Sequence, residues 1–475
     1  MVVEDRQRRR PLLNLRPATA TAALAVAFGA FAATLAATTG TADAETLREA
    51  LIAAYASNPT LAAERANLRA NDENVSQALS GWRPAVVMTG DLGVEASDRT
   101  VAGVNVSDTT LPSTVALQVT QPLYEGGAVD AQIESAEALV RAGRQNLRGT
   151  EQDVLLDVVT AFLDVLQNQA VVRLNLNNEE RLRRQLEAAQ DRFNVGEITR
   201  TDVAQAEARL ARAAADRAQS EGNLIAAQAN YARIVGNAPS DLQPPPPLPP
   251  LPGSEAEAME RARTSNPDLL SINETATSAR HDIDAASRQL MPTLDFETTA
   301  LHARDANAAG NVTSQVTAQL VATVPLYQTG AVYSAARQAM QVESQRRLQV
   351  EETQRLVSEG VTQAWEALTT ARARIQAGRE EVRANEIALE GVIQEAQVGS
   401  RTTLDVLDAE QELLDSQVAL VQAERDEYVA AYQLLSAVGG LDVRSLGLEV
   451  TPYDPTQNYT KVRDLWFGYG DVSRK

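Results

Sequence analysis

From Pro84 onward, apolar and polar side chains alternate. Met88, Gly90, Leu92, Val94 and Ala96 interleave with Thr89, Asp91, Gly93, Glu95 and Ser97, and Val115, Leu117 and Val119 with Thr114, Gln118 and Thr120. The same alternation returns at Leu294, Phe296, Thr298 and Ala300, and again at Val316, Ala318, Leu320, Ala322 and Val324. A period of two puts each set on one face of an extended chain, so four strands of about ten residues are predicted, each apolar on one side and polar on the other. Gly, Asn, Asp and Thr fill Asp98–Leu111 and His302–Asn311, which predicts loops there.

Elsewhere the period is helical. Glu45–Gly81 is rich in Ala, Leu and Glu, and Ala128 to about Phe193 holds no proline. The second stretch predicts a rod of roughly 100 Å at 1.5 Å per residue. The next helix carries a seam spaced three and four, through Val203, Ala206, Leu210, Ala213, Arg217, Ser220, Leu224, Ala227, Tyr231 and Ile234. Its later partner runs through Val406, Ala409, Leu413, Ser416, Leu420, Ala423, Glu427, Ala430, Leu434 and Ala437. Small residues on these seams favour close coiled-coil packing. Their polar positions predict rods set side by side around something open, not around one dry core.

The chain is written twice. VGEITRTDV (Val195–Val203) and VGSRTTLDV (Val398–Val406) are separated by 203 positions, as are Pro122-Leu123-Tyr124 and Pro325-Leu326-Tyr327, and Val235-Gly236 and Val438-Gly439. Upstream, Asn58-Pro59 and Asn266-Pro267 are offset by 208, as are Pro84 and Pro292, so a five-residue slip falls between Pro84 and Pro122. A duplication with one length change explains both offsets. The resulting organisation is a leader (1–44), a first repeat (45–242), a proline-rich connector (243–253), a second repeat (254–440) and a C-terminal segment (441–475). So much proline in the connector favours an extended, semi-rigid link.

Composition narrows the compartment. Arg6, Arg8, Arg9 and Arg10 precede an Ala-rich apolar run near Thr19–Ala37, and Ala42-Asp43-Ala44 supplies a small-residue cleavage site. That order predicts an export signal and a mature chain beginning at Glu45. The alternative is an uncleaved anchor, since the run comes near the length needed to span a bilayer. After Glu45 no stretch reads as a spanning helix. The formal charge is −20 over the whole chain; five leader arginines against Glu4, Asp5 and Asp43 leave the mature chain near −22. Nucleic acid is therefore excluded as a partner. With no cysteine there is neither a disulfide framework nor a cysteine for lipid attachment.

Four amphipathic strands cannot close by themselves. In a bilayer, each open edge would leave unpaired backbone groups at a cost of several kcal/mol apiece. Alternating ten-residue segments are the pattern of a membrane β-barrel, with the polar set lining a lumen. Closure then needs subunits to pool strands. Two chains give eight, which side chains fill; three give twelve, which leaves a conduit.

The leader, the doubled helix-strand-strand-helix-helix unit, Gln121-Pro122-Leu123-Tyr124, Val324-Pro325-Leu326-Tyr327 and the twin Val-Gly-x-x-Thr-x-x-Asp-Val together resemble the TolC-like outer-membrane channel-tunnels. The resemblance covers essentially the whole mature chain. It implies a mainly helical, internally duplicated protein with membrane β-structure: a homotrimer with a twelve-stranded barrel in the outer membrane of a Gram-negative bacterium, continuous with a long periplasmic coiled-coil barrel. It implies an exit duct for drugs or secreted polypeptides, working with a periplasmic adaptor and an inner-membrane RND or ABC transporter, and a C-terminal segment in the periplasmic belt.

In that frame the two nonapeptides are turns between long helices at the periplasmic tip. Gly196 and Gly399 can adopt the left-handed conformation that ends a helix. Thr199 with Asp202, and Thr402 with Asp405, match the capping pattern, which by itself accounts for both aspartates. The resemblance adds a second role. Asp405 and Asp408 match the paired aspartates that ring the family's closed entrance, and Arg401 matches a tip arginine that bridges towards the first repeat, with Asp202 as its acidic partner. Six such carboxylates around one axis would make the gate sensitive to pH and cations. The family's supporting tyrosine is replaced by Ala396, which removes part of that lock. Val195, Gly196, Thr199, Val398, Gly399 and Thr402 would line the grooves offered to adaptor hairpins. Tyr124 and Tyr327, where strand becomes helix, suit the aromatic belt at the membrane's inner edge, with core packing as the alternative.

His281 and His302 are isolated, and no nucleophile elbow, phosphate loop or zinc-ligand spacing occurs. No enzyme, metal or cofactor is expected. The competing readings are a periplasmic adaptor and a purely structural coiled coil; neither explains two pairs of amphipathic strands.

Overall fold

The computed structural model describes residues 45–306 and 310–469. The leader lies outside the described residues.

Each repeat begins with two consecutive short helices: α1 (Leu47–Ser57) and α2 (Pro59–Leu79), then α5 (Glu255–Ser265) and α6 (Pro267–Arg288). Asn58 and Asn266 separate the helices of each pair. Each caps the following helix through Oδ1, and a proline at the first helical position supplies the fitting φ. A pair of strands follows, then α3 (Ala128–Asn194) or α7 (Ala331–Gln397), both of 67 residues. The return helices are α4 (Arg200–Val235) and α8 (Thr403–Ala437). At 1.5 Å per residue, α3 and α7 are each about 100 Å long.

The strands β1 (Ala85–Leu92), β4 (Ser113–Tyr124), β5 (Thr293–Arg304) and β6 (Val312–Thr323) form one antiparallel sheet in the order β1-β4-β5-β6. Here the structure corrects the expected loop at Asp98–Leu111. Those residues belong to a second hairpin, β2 (Glu95–Val101) paired with β3 (Val104–Thr110). Its pairs, such as Glu95↔Thr110, continue the register of Leu92↔Ser113, and the Gly93 amide donates to the Pro112 carbonyl at 2.9 Å across the gap. The second hairpin ends instead at Arg304↔Val312. The five-residue slip is therefore spent in the first hairpin, which projects further from the helices.

No single dry core runs the length of the described rods, in keeping with their polar seams, but one large buried cluster does exist. At the level of the short helices, Leu47 and Leu51 of α1, Leu61 of α2, Leu155, Val158 and Phe162 of α3, Tyr231 of α4, and Leu441 and Val443 of the tail pack together. Phe162 and Tyr231 are fully buried. The most apolar window of the described helices lies in α3, which could pass as a membrane span by length and composition. Its Leu155, Val158, Val159 and Phe162 instead form this core. Towards the far end of the rods only small clusters remain, one around Leu182, Ala206 and Leu407 and another around Leu389, Val406 and Leu413.

Candidate functional site

Two regions carry the chemistry expected of a conduit. In the sheet, register sorts the side chains cleanly. Met88, Leu117, Ala300 and Val316 stand opposite one another across all four strands, as do Val86, Val119, Thr298 and Ala318. These rows share the apolar face. On the other face run Val87, Gln118, Thr299 and Thr317, and beside them Ala85, Thr120, Glu297 and Gln319. Gln319 Nε2 donates to Glu297 Oε2 at 3.1 Å. The apolar face is uncovered: Met88 is 72% exposed and Val316 76%. Neither β1 nor β6 has a partner on its outer side among the described residues. Such a sheet is unstable in water and suited to a bilayer, provided its two edges are paired. Tyr124 and Tyr327, at the helical end of the sheet, are exposed, so the core-packing alternative for them does not hold in the protomer.

At the opposite end of the rods lie the two nonapeptides, in matching geometry. Gly196 and Gly399 have φ of 81° and 79°. The amides of Glu197 and Ser400 donate back to Arg192 and Glu395 carbonyls, closing each helix with the wider of the two bonds of a Schellman ending. A full capping box follows in each. The Thr199 amide donates to Asp202 Oδ2 at 2.9 Å and the Asp202 amide to Thr199 Oγ1 at 3.3 Å; the Thr402–Asp405 distances are 2.8 and 3.2 Å. The cap amide and hydroxyl hold both carboxyls below the usual aspartate range. Val195 and Val398 are 72% and 81% exposed, and Gly196, Gly399, Thr199 and Thr402 lie beside them on the surface.

The charged contacts differ from the expected lock. Arg401 does not reach Asp202; its Nε donates to Glu395 Oε2 at 2.9 Å within its own turn, and Glu395, then Asp405, raise the guanidinium pKa. In the first repeat the polarity is reversed, since Arg192 on the helix pairs with Glu197 in the turn at 3.2 Å. Near the tip the ion pair between the helix pairs is instead Arg209 of α4 with Asp408 of α8, and further along the rods Arg425 of α8 meets Asp164 of α3 at 2.7 Å. Asp408 is thus paired within the protomer, although its side chain remains 54% exposed. Beside it Leu407 is buried against Leu182 and Ala206, and Glu410 is 3% exposed in the α3–α8 interface. Burial pushes the Glu410 carboxyl up, with Arg181 opposing. Its Oε2 finds no partner among the described residues.

Sequence reading missed Arg209 and Glu410 because it followed a single seam on each return helix. A second stripe, Leu407, Glu410 and Leu414, has the i, i+3, i+7 spacing of another buried face. Arg209 lies one heptad beyond Asp202, close to the Ala206–Ala213 seam. Among the described residues no group of His, Cys, Asp and Glu is arranged to hold a metal ion.

Comparison with known proteins agrees with this geometry. The profile of the outer membrane efflux protein family matches residues 50–237 and 258–440, one match per repeat. The outer membrane efflux protein BepC of Brucella suis is 37% identical over 89% of this chain and 92% of its own length. The outer membrane protein TolC of Escherichia coli is 26% identical over 85% of this chain and 84% of its own. Relatives named for protease secretion and for cobalt-zinc-cadmium resistance match at 24–26% identity. Among solved structures, the Vibrio cholerae outer membrane protein VceC superimposes with a TM-score of 0.71 at 18% identity, covering 83% of this chain and 96% of that one. The doubled helical rods and the open-edged amphipathic sheet are therefore those of an outer-membrane channel, not an enzyme, with a large periplasmic part: the chain belongs to the outer membrane efflux protein family.

Proposed function

We propose that three copies of this chain form the exit duct of a tripartite efflux or type I secretion system. The observation that carries this reading is the four-stranded sheet, apolar on one face, polar on the other, and unpaired at both edges. All four strands alternate in direction, so β6 of one copy can pair antiparallel with β1 of the next, and three copies close twelve strands around a water-filled lumen. The rods then extend the wall across the periplasm.

The tips form the entrance. Asp405 and Asp408 from each copy approach the axis, Asp408 restrained by Arg209, while Asp202 and Arg401 shape the turns on either side. The exposed Val195, Gly196 and Thr199, with Val398, Gly399 and Thr402, are the surface that adaptor hairpins grip. An adaptor that engages them and moves α8 away from α4 breaks the Arg209–Asp408 pair and opens the entrance. Tyr124 and Tyr327 anchor the inner rim of the barrel at the lipid interface.

The cargo is a drug or small molecule, a secreted protein, or both, delivered by an RND or ABC transporter through the adaptor. Relatives of this chain at 24–37% identity are named for efflux, for protease secretion and for cobalt-zinc-cadmium resistance, which supports keeping these cargo classes together. The test is deletion of the gene, followed by drug susceptibility and analysis of the secreted proteome. Greater susceptibility or missing secreted proteins, restored by the wild-type gene, is expected; a deletion strain unchanged in both would overturn the assignment.

A further inference from the structure

The duplication places two grooves at equivalent positions beside the short helices, and the protomer fills one of them. In the first repeat Tyr55, Leu61, Arg65, Arg148 and Glu151 line a cavity of about 420 Å³ that Asp442, Val443 and Tyr453 of the tail close over. The offsets of 208 and 203 carry those first five residues onto Arg263, Leu269, Asn273, Glu351 and Gln354. All five line a cavity of about 840 Å³ in the second repeat, whose walls come entirely from α5, α6 and α7. One mould therefore occurs twice, walled in part by the tail in the first copy and by helices alone in the second.

What covers the first groove is the segment that leaves the neighbouring rod. α8 packs beside α3, and the chain leaving α8 crosses directly onto α3. Arg148 Nη2 donates to the Gly439 carbonyl at 2.7 Å, and the Val443 amide to Glu151 Oε1 at 3.0 Å. Beyond α7 there is no further rod among the described residues. In a ring of alternating repeats, the helix in that place is α4 of the next copy. The segment leaving α4 is the counterpart of the tail: Gly236–Asp241 maps onto Gly439–Arg444 by the same offset of 203. Both departures are held alike, by Asn58 Nδ2 on the Ile234 carbonyl at 2.9 Å and by Asn266 Nδ2 on the Ala437 carbonyl at 3.1 Å. In the protomer Asn237, Ala238, Ser240 and Asp241 are exposed.

We propose that the Asn237–Asp241 loop of one protomer covers the second-repeat groove of the next, with Ser240 against Gln354 and Asp241 over Arg263 and Arg355. The charges permit this: Arg263 and Arg355 meet Glu260 and Glu351 only at 3.8 and 4.0 Å, and their side chains stay 66% and 85% exposed, so both guanidiniums can also reach the loop's aspartate. From Ser240 the chain turns back to its own Glu45: the Ser240 amide and hydroxyl each donate to Glu45 Oε2 at 3.3 Å, and the Glu45 amide donates to the Asp241 carbonyl at 2.8 Å, which leaves the Asp241 side chain to face outward. The loop therefore caps the groove over a shorter length than the tail does, in keeping with the larger cavity. This inference rests on the trimeric reading, and its test separates the two.

The natural chain has no cysteine, so an engineered pair reports without background. Ser240→Cys with Gln354→Cys is oxidised in detergent and run on a denaturing gel. The control is Glu151→Cys with Val443→Cys, equivalent positions already in contact within one chain. The expected result is a covalent trimer for the first pair and an internally linked monomer for the control. Arg263→Glu with Arg355→Glu should lower the intersubunit yield severalfold, and adding Asp241→Arg should restore it. A trimer by native mass spectrometry that gives no intersubunit link would overturn the docking. A monomer by the same measurement would overturn the ring itself.

Discussion

The two tips share a backbone and differ in charge. Both use a glycine in the left-handed region and a Thr–Asp capping box, yet Arg192 on the helix pairs with Glu197 in one turn, while Glu395 on the helix pairs with Arg401 in the other. Only the second tip continues into Asp408 and Glu410; their counterparts in the first are Gln205 and Glu207, the latter exposed. Duplication has kept what the turn requires sterically and released what it does not. The interhelical contact, Arg209 with Asp408, arose where the copies diverged.

The same contrast holds along the whole molecule, and it can be broken at several points. The largest effect is expected in the sheet. Val316→Arg puts a charge on the lipid face, worth about 2–4 kcal/mol at mid-membrane, whereas Thr317→Arg points to the lumen. The first should abolish recovery of the folded protein from outer membranes and the second should leave it near wild type. Next is the core of the belt. Phe162→Ala should cost about 3–5 kcal/mol by denaturant unfolding. Its counterpart Trp365→Ala should cost less, because Trp365 is only partly buried.

Smaller effects belong to the tips. Arg209→Glu should raise the open fraction in single-channel records more than Arg401→Glu, since Arg401 is tied to its own turn. Thr199→Ala should lower stability by about 1 kcal/mol through the lost cap.

The pH dependence has two signs. Burial raises the Glu410 carboxyl, so its contribution to docking α8 on α3 is fully present below the usual glutamate value and lost as pH rises through the folded one. Asp202 and Asp405 are lowered, so theirs is present above the usual aspartate value and lost as pH falls through the folded one. Glu410→Gln should flatten the thermal stability profile above the usual glutamate range while leaving the acid limb in place.

Much of this was legible in the sequence because it repeats or alternates. The offsets of 203 and 208 fix the duplication, the period of two fixes the faces of four strands, and the Thr-x-x-Asp spacing fixes the caps. The hairpin of β2 and β3 escaped because its polar residues read as loop chemistry; its stability comes from continuing the register of β1 and β4, which composition does not encode. Arg209 and Glu410 escaped because each lies off the one seam followed on its helix, and what they face, Asp408 and Arg181, belongs to the other repeat. The tail escaped because Leu441, Val443, Leu446 and Leu448 have no sustained period and are ordered by the groove they enter.

The central claim is that one protomer's sheet becomes a pore by sharing its wall with other copies. Reconstituting the purified protein into a planar lipid bilayer tests it most directly. Discrete, uniform conductance steps from trimeric material are expected, with the open fraction raised by Arg209→Glu. A protein that remains monomeric without detergent and gives no conductance under the same conditions would contradict it.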